Sequence, residues 1–311
     1  MKNRETKCRH AGRAFSFCIF HCTFFVFYAA IQGCAPNRAP AARYIEQADQ
    51  LHGQSLGSTI IPNDDLNAYV QEIGKRLEQA AKDEVPDKAR GPFFQNLQFH
   101  LVDSPIVNCY MTGGSHVYVY RGLLDFCRSE EELAAGIAHA YAHALNLDFE
   151  ASKLKPPAKP QPLREVAWDF VTTRFTVQQE HNADRLAFRL YARAGWDPAH
   201  FEDLFGRLSD KYPDGPAADR EPLPRRAELA RGLVAGVPKK WRQLPVADPR
   251  TYDALRKQAE SLRFSSPASN DARLYLLAFP NCILSQDLDV QKQAQDKLRP
   301  PPPPAVQVEP S

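Results

Sequence analysis

The spacing of apolar positions changes along the chain. The stretch "NDDLNAYVQEIGKRLEQAAKD" (63 to 83) places Leu66, Val70, Ile73 and Leu77 on one stripe behind an Asn-Asp-Asp start, which predicts an amphipathic helix with an N-cap. "LQFHLVD" (97 to 103) alternates with period two and predicts a strand. "GGSHVYVYRGLL" (113 to 124) follows a Gly-Gly turn, and its β-branched and aromatic content predicts a second strand, expected to pair with the first in a small sheet. Ser129 followed by Glu132 is a capping-box pattern opening a helix through about Leu147. From Leu133 to Leu147 that helix carries no charged residue besides its histidines, so it is expected to be buried on nearly all sides. "KPPAKPQP" (155 to 162) must be a loop. A long helix is expected from about Leu163 to Ala194, stopped by Gly195 and Pro198, with shorter helices at about 198–209, 222–234, 249–263 and 285–298. Five prolines from Pro300 to Pro304 open an extended, disordered tail over 299–311.

The N-terminus follows a different pattern. Lys2, Arg4, Lys7, Arg9 and Arg13 precede an almost wholly apolar run from Phe15 to Ile31, which reads as a secretory signal over residues 1–33. The run ends in "IQGC", which resembles a bacterial lipobox and makes Cys34 the expected lipidation site, although Gln32 is an unusual residue there. Residues 34–59 are then a lipidated N-terminus and tether. The expected location is the periplasmic face of the outer membrane, or alternatively a secreted or inner-membrane-anchored protein.

The whole chain has 39 Lys+Arg and 37 Asp+Glu, a formal charge of +2. Without residues 1–33 these become 34 and 36, so the body is near −2. With no basic surplus or arginine-rich run, no nucleic-acid partner is expected. Of seven cysteines only Cys109, Cys127 and Cys282 lie in the body, too few for a disulfide scaffold, though one bridge is possible.

Candidate chemistry sits in "IAHAYAHAL" (137 to 145). On a helix His139 and His143 lie about 40° apart around the axis, one turn from each other. Small Ala135 and Gly136 share their face and leave room for an ion. An H-x-x-x-H alone, a pattern common by chance, fits two core histidines held by hydrogen bonds better than a metal site, but two buried imidazoles need polar partners, and this helix offers few. "QEHNADR" (179 to 185) supplies Glu180 and Asp184, also four apart. Two histidines and a carboxylate make a zinc set of the catalytic kind, and another carboxylate can orient a ligand histidine from outside.

Four segments in order, "NCYMTGG", "RGLL", the H-x-x-x-H helix and the E-x-x-A-D helix, resemble peptidase family M forty-eight over about residues 60 to 235. These zinc metallopeptidases include the CAAX prenyl endopeptidases and the periplasmic BepA-like lipoproteins. The resemblance implies a zincin-like α+β fold over 60–298, mostly helical, with a small sheet beside a buried zinc-binding helix. It implies one zinc ion on His139, His143 and Glu180, with Asp184 as outer partner. It also implies an edge strand at His116, Val117, Tyr118 and Val119 that pairs with an extended or unfolded polypeptide.

The chain departs from the family at two places. Ala140 stands where the glutamate of H-E-x-x-H acts as general base, so the expected rate is lower by about 10² to 10⁴. Glu221 stands where a His-Pro segment closes over the zinc and is a candidate substitute ligand or base. Three readings follow: a zinc- and polypeptide-binding pseudoprotease of envelope quality control, an active zinc endopeptidase with a substitute base, and a metal-free buried polar network.

Overall fold

The computed structural model describes residues 38–85, 97–112, 114–151, 162–212, 222–239, 242, 244, 247–262, 268–280 and 288–301. The chain divides into two units, Met1–Ala39 and Pro40–Ser311, and the elements below belong to the second, the first helix starting at its border. The signal segment, Cys34, Glu221, Cys282 and the tail beyond 301 lie outside the described residues. Among the described residues, no helix is long and apolar enough to cross a membrane.

Helix α1 (Arg38–Gln54) occupies most of the segment expected to be a tether, and this corrects that reading. Its Ala48 and Leu51 are fully buried in the same core as Leu56 and Ile61, so the segment is held by apolar burial rather than left free. Helix α2 (Asp64–Glu84) has the anticipated stripe: Leu66, Val70, Ile73 and Leu77 are buried, and the Asn63 side chain accepts from Leu66 N at 2.9 Å. Each such side chain stabilises the fold by about 1.5–3 kcal/mol. Gly74 lets α2 lie directly on the sheet, because a Cβ there would come within 2.2 Å of the Phe99 ring.

The sheet has three strands, β1 (Gln98–Val102), β2 (Cys109–Met111) and β3 (His116–Tyr120), in the order β1-β3-β2. β1 runs parallel to β3, pairing Gln98 with His116 and Val102 with Tyr120, and β2 runs antiparallel, pairing Tyr110 with Tyr118. The outer edge of β1 is occupied by α2: Asn67 Oδ1 accepts from Leu101 N, Gln71 Oε1 from Phe99 N and Glu78 Oε1 from Leu97 N. The expected strand 113–124 is shorter than predicted, since "RGLLDF" forms helix α3 (Arg121–Phe126).

Helix α4 (Glu130–Leu145) is the central rod. The Ser129 side chain accepts from Glu132 N, and Glu132 in turn accepts from Arg128 N at 2.8 Å. Every residue from Leu133 to Ala144 is buried, as the absence of charge there predicted, and Glu131 and Glu132 are buried with them, while the last residues of the expected run, Leu145 to Leu147, are not. A short turn α5 (Asp148–Ala151) follows.

The single long helix expected from Leu163 to Ala194 is two, α6 (Leu163–Val171) and α7 (Val177–Arg193). The break lies at "TTRFT". The hydroxyls of Thr172 and Thr173 bond back to carbonyls of Trp168 and Asp169, and Thr176 opens α7 in a capping box with Gln179. Helices α8 (Phe201–Lys211), α9 (Leu223–Ala235), α10 (Pro249–Ser261), α11 (Asn270–Ala278) and α12 (Leu288–Leu298) complete the unit, which is a mostly helical α+β, zincin-like fold. α7 packs along α4 more extensively than any other helix pair, and β2 flanks α4 as well.

Candidate metal centre

The packing of α7 on α4 brings the two sequence-separated pairs together. Nε2 of His139 and Nε2 of His143 are 3.2 Å apart, and Glu180 Oε2 lies 3.3 Å from the first and 3.5 Å from the second. Three donor atoms thus form a nearly equilateral triangle. Its centre is about 1.9 Å from each corner, just inside the about 2.0–2.1 Å bonds that zinc makes to imidazole and carboxylate. Glu180 Oε2 is buried and has no hydrogen-bond partner. An orphaned anionic oxygen facing two imidazole nitrogens is costly unless a cation joins them, so the donor set fits a metal ion.

Both rings are held from behind. Asp184 Oδ1 lies 2.9 Å from Nδ1 of His139, as the outer-partner reading required. Asp148 does the same for His143, its Oδ2 lying 2.7 Å from Nδ1. Each Nδ1–H donating to a carboxylate leaves Nε2 as the lone-pair nitrogen aimed at the triangle. Asp148 reaches back because Leu147 takes the left-handed conformation, φ 57°, between α4 and α5. No pattern in the sequence announces that reversal. On the other side Phe175, from the break between α6 and α7, stacks on His143 at 4.1 Å between ring centroids.

Arg226, from α9, is the other group that sequence reasoning missed. Its side chain is fully buried and grips Asp184 with both Nε and Nη2, Nε at 2.8 Å from Oδ2, while Nη2 stands 3.8 Å from Glu180 Oε2. The pocket thus gathers three carboxylates, Asp148, Glu180 and Asp184, around one guanidinium and two histidines, an acidic lining that favours a cation. The local potential is visible in the titrating groups. Burial alone would hold His143 neutral, but Glu180 and the bond to Asp148 lift it to about 9. Burial would likewise raise Asp184, yet the Arg226 guanidinium and His139 hold it down to about 2, and Glu180 is held well below its usual range by His143, His139 and Arg226. A pocket that draws protons onto histidine draws a cation for the same reason.

The remaining candidates fall differently. Ala140 is buried on α4 beside His139 and carries no group that could move a proton. The edge-strand reading of His116, Val117, Tyr118 and Val119 is corrected: β3 is the central strand, hydrogen-bonded to β1 on one side and β2 on the other, so its main chain has no free edge for a polypeptide. β1 is covered by α2, and β2, the outer strand on the other side, is fully buried and touches α4. Tyr110 of β2 stacks on Phe279 and donates to Phe170 O, and the Asn108 side chain donates to Pro280 O. Cys109 and Cys127 are buried free thiols, both pushed up by burial, so neither is poised as a nucleophile. A cleft of about 590 Å³ lined by Asp103, Arg121, Asp125, Lys211 and Arg273 shares no residue with the metal donors.

A buried H-x-x-x-H helix crossed by an E-x-x-A-D helix, beside a three-stranded sheet, agrees with what comparison with known proteins finds. Residues 64–154 match the model of Peptidase family M48. The M48 match includes α2, the whole sheet, His139 and His143, whereas Glu180, Asp184 and Arg226 lie beyond it and are joined to the centre by the tertiary geometry alone. Among the relatives are the beta-barrel assembly-enhancing proteases of Escherichia coli strain K12 (24% identical over 192 residues, 54% of this chain and 38% of the relative) and Yersinia pestis (23% over 170 residues, 47% and 33%). The mitochondrial metalloendopeptidase OMA1 of Arabidopsis thaliana is 28% identical over 120 residues, 35% of this chain and 25% of the relative. The chain thus spans about a third of the length of the curated relatives it matches.

Proposed function

We propose that this chain is a zinc- and polypeptide-binding pseudoprotease of the cell envelope, which retains the metal half of a peptidase site and has lost the proton-carrying half. The observation that carries this reading is Ala140, a buried methyl beside His139 in an otherwise complete donor set. His139, His143 and Glu180 would hold the ion. Bound there, zinc supplies a Lewis acid able to polarise a water or a substrate carbonyl. Asp184 and Asp148 keep the two Nδ1 protons in place, and Arg226 keeps Asp184 charged and fixed. Ala140 cannot take a proton from water and pass it to a leaving amine, a transfer that usually contributes about 10² to 10⁴ in rate.

The polypeptide is an extended or unfolded segment, the kind of partner that main-chain pairing recognises. The leader, the lipobox-like "IQGC" and the relatives' names support a lipid anchor at Cys34 and work beside proteases of envelope assembly.

Metal analysis of the purified full-length protein, with a casein-cleavage assay on wild type and Ala140→Glu, tests this. An equivalent of zinc that disappears in His143→Ala, a silent wild type and a folded, active Ala140→Glu are expected. Chelator-sensitive cleavage by the wild type would overturn the loss of activity, and zinc content indifferent to His143→Ala would overturn the centre itself.

A further inference from the structure

Three more histidines, none of them a donor of the first centre, meet on one face of the sheet. His100 on β1 and His116 on β3 point from the same face, and α1 lays His52 across them. Nε2 of His100 is 3.0 Å from Nδ1 of His116, and the rings of His52 and His116 stack in parallel at 3.5 Å between centroids. One ring nitrogen of each residue falls within 4.8 Å of the others. Asp49, one turn before His52 on α1, holds Oδ1 3.8 Å from Nε2 of His116 and accepts from Ser115 N. The Tyr118 hydroxyl lies 3.1 Å from Nδ1 of His52 and fixes that ring from the side.

We propose that His52, His100 and His116 form a second site for a divalent transition metal ion, which clamps α1 to the sheet. Donors around a tetrahedral zinc ion stand about 3.4 Å apart, given bonds of about 2.1 Å. The His100 and His116 nitrogens stand close to that spacing, and His52, half-buried on a helix, turns out of its stack on His116 to direct its lone pair at the ion. Two ring nitrogens at 3.0 Å can share only one proton, whereas an ion satisfies all three rings at once. Burial supports this by keeping the rings neutral, with lone pairs free: it lowers His52 to about 4, His100 to about 3, and His116 as well, although Asp49 pulls His116 the other way. Three neutral imidazoles suit zinc or copper rather than magnesium or calcium. The donors come from α1, β1 and β3, so the ion would close a loop between residues 52 and 116 and restrain the start of the folded unit.

Zinc binding is measured on the full-length protein, purified without a histidine tag, in a His139→Ala/His143→Ala background that removes the other centre. One equivalent is expected to remain, with cobalt substitution giving the visible bands of a four-coordinate ion, and His52→Gln or His100→Gln is expected to weaken it at least 100-fold with an unchanged far-UV spectrum. No residual zinc, or residual zinc untouched by both glutamine variants, overturns the proposal. Should the double-alanine background fail to fold, wild type is compared with His52→Gln: a drop from two equivalents to one supports the site, and an equal count in both overturns it.

Discussion

Asp148 Oδ2 lies 2.7 Å from Nδ1 of His143, and this bond, across a turn made by a left-handed leucine, sets which nitrogen of His143 faces the metal position. Asp148→Asn keeps the shape and an acceptor oxygen but removes the charge that orients and strengthens the ring. Loss of such an outer carboxylate typically costs about 10- to 100-fold in metal affinity. Zinc competition titration on the Asp148→Asn protein should show a weakening of that order, with little change in melting temperature. An unchanged affinity would mean that His143 is not a ligand.

Arg226 and Asp184 are both buried and doubly hydrogen-bonded. Replacing Arg226 by Met leaves Asp184 as an uncompensated charge, and breaking a buried pair in this way costs about 3–5 kcal/mol. Urea unfolding should show that loss, and adding Asp184→Asn should recover part of it, because the second change removes the stranded charge. Equal, additive losses would argue against direct coupling.

Gly74 faces the Phe99 ring so closely that a Cβ would lie 2.2–2.5 Å from three of its atoms. Gly74→Ala gains about 1 kcal/mol of helix propensity, but it pushes α2 away from β1 and loosens the side-chain bonds from Asn67 and Gln71 that cover the strand. Overpacking of this kind costs about 1–3 kcal/mol, so a net loss of stability is expected in a thermal melt. A higher melting temperature would show that α2 and β1 can part freely.

The local elements were legible because their causes are local. The charge-free run of α4 from Leu133 on announced its burial, Asn63 and Ser129 announced the helix starts, and paired spacings four apart put His139 with His143 and Glu180 with Asp184 on single helix faces. The break at "TTRFT" was hidden because apolar periodicity continued on both sides of it. The central place of β3 was hidden because strand order depends on which neighbours supply hydrogen bonds, not on the strand's own composition.

The sequence by itself therefore determined the donor types, their helical spacing and the absence of a base at Ala140. Only the tertiary structure decided that Asp148 and Arg226 complete the centre, that β3 is the central strand, and that His52, His100 and His116 meet at all. Those groups are separated along the chain by turns, strands and whole helices, and their meeting rests on how α1, α7 and α9 pack, a property of complementary surfaces that no single segment carries.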